Sequence, residues 1–340
     1  MRSLDWVDGA VELIDQTRLP DEVVRLRIHD LPGIVSAIRT LSVRGAPAIG
    51  VAGAFGVALA RRHDEPGTAA FEHAIASLRG ARPTAVNLAR MVDRAVAKAR
   101  DGFESALTEA LLIRDEELAA SISMGKYGAD LVEQLLGDQP VRAMTICNTG
   151  GLAAVERGTA LGVIQTVHER GRLQDVVVLE TRPLLQGGRL TTWELNRMNA
   201  PHRLIVDSAG PFLLARGEAN IVLTGADRIA ANGDTANKVG TFSLALAARH
   251  ANIPFVVVAP ESTVDASTTS GDEIEIEDRG ADEVVAVRGH RIAPSDTPVV
   301  NPAFDVTPKD LITAVVTDRR VVRFEQAQSL EFDPERGGNS

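Results

Sequence analysis

From Val141 onward the chain repeats one pattern, a short apolar run that ends in a polar residue, followed by a stretch with helical spacing. The runs are "VRAMTIC", "DVVVLET", "HRLIVD", "NIVLTGAD" and "PFVVVAP", and the stretches between them include "LAAVERGTALGVIQTVHER" and "TFSLALAARH". Runs this short and this apolar suit strands buried on both faces, and helices between them suit βαβ units. The pattern predicts an α/β fold with a Rossmann-like parallel sheet in the C-terminal domain, helices covering both faces.

The first part of the chain has a different grammar. "SLDWV" and "VELID" alternate polar and apolar residues around Asp8-Gly9, a hairpin signal. From about Leu31 the spacing becomes helical in "GIVSAIRTL", "TAVNLARMVDRAVAKAR" and "DLVEQLLG". A smaller N-terminal domain of short antiparallel strands plus a helical bundle is expected over residues 1–130, and the Rossmann-like domain over 131–340. The change falls between Lys126 and Gln139, around "GDQP". Only the terminal "GGNS" reads as a disordered tail.

A chain of 340 residues exceeds one comfortable hydrophobic core, which agrees with two domains. The net charge of −10 argues against a nucleic-acid surface but leaves room for a local basic cleft. One cysteine excludes an internal disulfide and fits a reducing cytoplasm. No apolar run reaches the roughly 20 residues of a membrane helix, and the N-terminus lacks a charged-then-apolar leader. The seven histidines are scattered, so a metal site has no support, and no dinucleotide, Walker or nucleophile-elbow motif occurs. No cofactor is expected.

In such a sheet, ligands bind beyond the C-terminal ends of the strands. The residues ending the runs are Cys147, Glu180, Asp207 and Asp227, with Glu261 just past the fifth. Any one carboxylate there can simply cap a helix; a thiol and four carboxylates on one edge suggest more. Asp227 precedes the polar segment "RIAANGDTANKVGT", in which Asn237 and Lys238 are read as opening a helix and suit an anionic, hydroxylated ligand. The competing reading of that segment is a solvated loop. Earlier, Arg44, Gly45 and Ala46 come just before Pro47 at a helix start, where backbone N–H groups, the helix dipole and a guanidinium can meet one anion.

The ordered motifs "VRGAPAIGVAGAFGVALA", "CNTGGLA", "ETRPLLQGGRLTTWEL", "DSAG", "TGADRIAANGDTANKVGT", "VVAPESTVD" and "NPAFDVTP" closely resemble the methylthioribose-1-phosphate isomerase family, from about residue 5 to residue 325. The wider group includes other sugar-phosphate isomerases and regulatory subunits of a translation initiation exchange factor. The resemblance implies conversion of 5-methylthioribose 1-phosphate to 5-methylthioribulose 1-phosphate in methionine salvage, usually by a homodimer. It implies Cys147 as catalytic cysteine and Asp227 as proton donor. It further implies substrate contacts from Arg44, Gly45, Ala46, Arg82, Gln186, Asn237 and Lys238. The chain departs from the family in "ICNTGGLA", where "HCNAGALA" is usual, so Ile146 replaces a polar ring beside the thiol. It departs again in "NRMNAPHRLIVDSAGPFLLARG". Two routes fit the implied reaction, proton abstraction by a Cys147 thiolate or a hydride shift from C2 to C1. The same isomerisation of 5-deoxyribose 1-phosphate or ribose 1,5-bisphosphate is the nearest rival, and a non-catalytic ligand-binding subunit is the rival from another class.

Overall fold

Asp8 and Gly9 both adopt left-handed backbone, with φ of 44° and 81°. They form the tight turn between β1 (Leu4–Val7) and β2 (Ala10–Ile14), which pair antiparallel with Val7 opposite Ala10. A third strand, β3 (Arg25–Ile28), adds antiparallel to β2. Its sequence "RLRI" gave no apolar run, because one face is solvated. The computed structural model describes residues 2–82 and 86–324, so Thr84 and Ala85 of one expected helix and the "GGNS" tail lie outside the described residues.

Five helices follow, α1 (Leu31–Arg39), α2 (Ala46–Arg61), α3 (Ala69–Arg79), α4 (Val86–Ala99) and α5 (Phe103–Leu136). Helix α2 is buried from Ala48 to Ala60 and forms the centre of the first core. Its small residues let α4 approach closely: a Cβ on Gly53 would lie 2.6 Å from Leu88 Cδ1. Helix α5 is 34 residues long, about 50 Å at the usual rise. Its first half sends Ala106, Ala110 and Ile113 into that core, and its second half sends Met124, Leu131, Val132 and Leu136 into a second one. One helix therefore serves both cores.

All five apolar runs are strands of one sheet: β4 (Val141–Thr145), β5 (Leu173–Leu179), β6 (His202–Ile205), β7 (Ile221–Thr224) and β10 (Phe255–Val258). Two short strands, Ala314–Val316 and Val321–Arg323, complete it. The order is Val321–Arg323, Ala314–Val316, β10, β7, β4, β5, β6, parallel throughout except for Val321–Arg323. Starting at β4, the chain builds outward to β6, returns to β7, and then builds the other way, which is the Rossmann order. The period of two along each strand sorts the faces. Val141 and Ala143 pack with residues of α5 and of α6 (Ala160–Glu169), whereas Met144 and Ile146 join Leu244 and Ala245 on the opposite side.

Between β5 and β6, a π-helical turn, Gly187–Thr191, runs into the short helix α7 (Thr192–Arg197). Helices α8 (Ala209–Ala215) and α9 (Thr241–Ala251) cover the second face. Two expectations change. Helix α6 opens only at Ala160, because Gly150 and Gly158 bridge and keep the preceding segment irregular. The polar segment after Asp227 is a hairpin rather than a loop, β8 (Arg228–Ala230) and β9 (Thr235–Lys238), turning at Asn232-Gly233. Asn237 and Lys238 end β9, and α9 opens three residues later.

Candidate active site

Strand order reverses at β4 and β7, and the crevice beyond their C-terminal ends is where such sheets hold ligands. Cys147 follows β4 and Asp227 follows β7. A cavity of about 330 Å³ lies there, with Arg44, Gly45, Ala46, Arg82, Cys147, Gln186, Asp227, Asn237 and Lys238 all in its wall. The nine residues singled out from the sequence are thus brought together from both halves of the chain. Leu41, Ile49, Leu184 and Phe304 add apolar surface.

Cys147 is buried and held in left-handed backbone, φ 65°. Its N–H donates to Thr181 Oγ1 at 2.8 Å, and its carbonyl accepts from Thr191 Oγ1 at 2.6 Å. Thr181 is itself anchored, its N–H donating to Asp207 at 2.7 Å. The thiol therefore sits on a backbone clamped at both sides. Ile146 beside it is fully buried in the core, so the wall behind the thiol is apolar.

The Asp227 carboxyl is open to the cavity yet lies deep beneath the surface of the molecule. The surrounding protein raises its pKa through desolvation, against the pull of Lys238, Arg44 and Arg82. Lys238 donates to the Ala303 carbonyl at 2.8 Å and lies 4.6 Å from the centre of the Phe304 ring. Burial lowers its pKa, and Cys147 and Asp227 oppose that. Asn237 donates to Thr241 Oγ1 at 2.9 Å, which fixes the chain between β9 and α9.

Gly45 has φ 94°, and a Cβ on it would stand 2.3 Å from the carbonyl oxygen of Ala153. Only glycine allows this contact between the start of α2 and the loop after β4, and the contact sets Arg44 over the cavity. Arg44 donates to Asn148 Oδ1 at 2.7 Å and to the Asn148 carbonyl at 2.9 Å. Arg82 pairs with Glu277 at 3.6 Å, and desolvation lowers its pKa against that carboxylate. Gln186 is buried in the wall, and its Oε1 has no partner among the described residues.

The other strand-end carboxylates do not line the cavity. Asp207 accepts the N–H groups of Thr181 and Arg182 at 2.7 and 2.6 Å and so orders the turn behind Cys147. Glu261 pairs with Arg320 at 2.6 Å. Glu180 also lies outside, its pKa raised by desolvation and then by Asp207. The start of α9 is closed to a ligand anion as well. Asp305 occupies it, accepting from the N–H groups of Gly240 and Phe242 at 2.7 and 3.1 Å, and burial pushes its carboxyl up to about 6.

Sequence reasoning passed over three residues here. Asn148 stands beside the cysteine, Arg279 lines the cavity from a distant loop, and Glu194 lies buried behind Asn148. Asn148 and Glu194 had local signals, their places in the cysteine motif and in "ETRPLLQGGRLTTWEL", whereas Arg279 had none. Among the described residues, no group of three or more His, Cys, Asp or Glu side chains could hold a metal ion. Among them, too, no helix is long and apolar enough to cross a membrane.

Comparison with known proteins adds four relations. The model of the initiation factor 2 subunit family matches residues 42–323. A probable bifunctional methylthioribose-1-phosphate isomerase/methylthioribulose-1-phosphate dehydratase of Nocardia farcinica is 50% identical over 94% of this chain. The chain spans 59% of that longer relative. A methylthioribose-1-phosphate isomerase of Anaeromyxobacter sp. (strain K) is 49% identical over 94% of this chain and 93% of its own length. Among solved structures, 5-methylthioribose 1-phosphate isomerase from Pyrococcus horikoshii OT3 superposes with a TM-score of 0.86 at 40% identity, covering 95% of this chain and 92% of that one.

Proposed function

The chain belongs to the initiation factor 2 subunit family, and within that family we propose that it is an aldose–ketose isomerase, converting 5-methylthioribose 1-phosphate to 5-methylthioribulose 1-phosphate in methionine salvage. The observation that carries this reading is the meeting of Cys147 and Asp227 at the switch point, in one cavity with Arg44, Arg82 and Lys238. Relatives of that activity at close to half identity over most of the chain support it.

The substrate poses a specific problem. Phosphate on the anomeric oxygen holds the sugar as a ring, so no free aldehyde is available for a simple enediol route. Asp227, kept more readily protonated by its deep position, donates to the ring oxygen as the C1–O bond breaks. The hydrogen on C2 moves with its electron pair to C1, and the C2 hydroxyl returns its proton to the emptied carboxylate as the ketone forms. Asp227 ends as it began, and no group leaves. Cys147 lines the same cavity and lies against the migrating hydrogen. The phosphate is held by Arg44 and Lys238 with the turn at Gly45 and Ala46, while Arg82, Gln186 and Asn237 hold the sugar.

The cavity favours a single phosphate. Two further arginines line it, but Arg279 is tied to Glu277 and Glu283 at 3.1 and 2.6 Å, and Arg228 stands 3.7 Å from Asp265. Turnover of 5-methylthioribose 1-phosphate, 5-deoxyribose 1-phosphate and ribose 1,5-bisphosphate, followed side by side by NMR, tests the assignment. Preference for the thioether sugar is expected. Preference for either rival reassigns the substrate, and binding without turnover of any would support a non-catalytic ligand-binding subunit. We further expect a cytoplasmic homodimer, which light scattering at twice the chain mass of 36.2 kDa would bear out.

A further inference from the structure

Behind the cavity wall, on the side away from substrate, lies a carboxyl group for which the reaction has no use. Glu194, on α7, is buried, and both its oxygens crowd Gly150, where a Cβ would lie 2.4 and 2.5 Å from them. Oε1 accepts from Asn148 Nδ2 at 2.7 Å and lies 3.5 Å from the Leu152 N–H. Asn148 Nδ2 also reaches Thr191 Oγ1 at 3.3 Å. With its amide nitrogen drawn to that side, Asn148 turns Oδ1 the other way, where it accepts from Arg44 Nη1, and its carbonyl accepts from Nη2.

We propose that Glu194 is a positioning residue, which fixes the Asn148 amide and through it aims the Arg44 guanidinium at the phosphate of the substrate. The inference rests on the isomerase reading of the cavity. The physical reason is the match of donors and acceptors. The groups turned toward Glu194 are the N–H donors of Asn148, Leu152 and Gly151, which an acceptor-only carboxylate can meet with either oxygen and an amide with one oxygen only. A carboxylate also makes an Asn148 flip costly, because the flipped amide would bring oxygen against oxygen and nitrogen against a guanidinium. Gly150 is required for the same reason, since any side chain there would displace Glu194.

The test is a double-mutant cycle of Glu194→Gln and Arg44→Lys, read in kcat and KM for 5-methylthioribose 1-phosphate beside the thermal midpoint of each variant. Glu194→Gln should lower kcat/KM about 10- to 100-fold, the scale of a lost charge-assisted hydrogen bond. Arg44→Lys should then cost far less in that background than in the wild type, because Arg44 is already misaimed. Fully additive losses would overturn the proposal and leave Glu194 as a loop anchor only. Should Glu194→Gln not fold, Asn148→Ala takes its place in the cycle, with the same expectation and the same contrary result. A wild type without turnover would count against the isomerase reading alone. The cycle would then be read in the Kd for that sugar phosphate by calorimetry, or for inorganic phosphate if the sugar does not bind, and additivity there still overturns the positioning role.

Discussion

Asp227 and Cys147 make opposite demands on their surroundings, and a single substitution at each separates chemistry from packing. Asp227→Asn keeps the shape and removes the proton. It should cost about 10²- to 10⁴-fold in kcat, the usual contribution of a positioned general acid, with little change in the thermal midpoint. A midpoint that falls with activity would make the residue structural. Because the carboxyl pKa is raised and the acid form is the working one, kcat should fall as pH rises through that raised value. Cys147→Ala removes one buried sulfur from a backbone held at both sides, so turnover should drop far more than stability. The residue scale also shows what a sequence hides. Cys147, Glu180, Asp207, Asp227 and Glu261 look equivalent as strand-end groups. Which of them faces a cavity and which caps a turn or pairs with arginine depends on partners 25 to 60 positions away, such as Thr181 for Asp207 and Arg320 for Glu261.

At the scale of elements, the junction between α2 and the loop after β4 carries the site. Gly45→Ala would put a methyl 2.3 Å from the Ala153 oxygen at a backbone angle that alanine resists. A loss of at least about 2 kcal/mol in urea unfolding is expected, with weaker substrate binding because Arg44 moves with the turn. Unchanged stability would mean that the two segments separate easily. The elements legible in the sequence were those with strong local grammar, namely the Asp8-Gly9 hairpin, the five buried runs and α2 with its proline in the first turn. The elements missed had none. "RLRI" is half solvated, and "AVV" at 314–316 is too short to stand out. The start of α6 was placed too early, since apolar spacing continues through a segment that its glycines keep irregular.

For the molecule as a whole, α5 is the common member of both cores, and Glu117 lies on it between Ile113 and Met124. Burial, with Asp318 and Glu116 nearby, pushes its carboxyl up from 4.5 to about 7. The folded protein then holds a proton that the unfolded chain releases, so this stability is present in full below about pH 4.5 and is lost as pH rises through about 7. Glu117→Gln should match the wild type near pH 4.5 and exceed it by up to about 3 kcal/mol near pH 8, in urea unfolding at the two values. An equal difference at both would place the charge elsewhere. The parallel sheet and the small antiparallel sheet before it were legible in outline because apolar runs and residue spacing are local. The support behind the cavity, Glu194 and Asp305, was not, because tertiary topology alone brings those carboxyls to Asn148 and to α9.

At the centre stands the proposal that the cavity at β4 and β7 isomerises a sugar 1-phosphate through Asp227 and Cys147. The measurement that bears on it most directly is NMR of 5-methylthioribose 1-phosphate mixed with the wild type, Asp227→Asn and Cys147→Ala, with binding of the same sugar followed by calorimetry. The ketose signal should grow with the wild type and be nearly absent with either variant, while both variants still bind. Ketose formation by both variants at the wild-type rate, or binding by the wild type without any conversion, would contradict it.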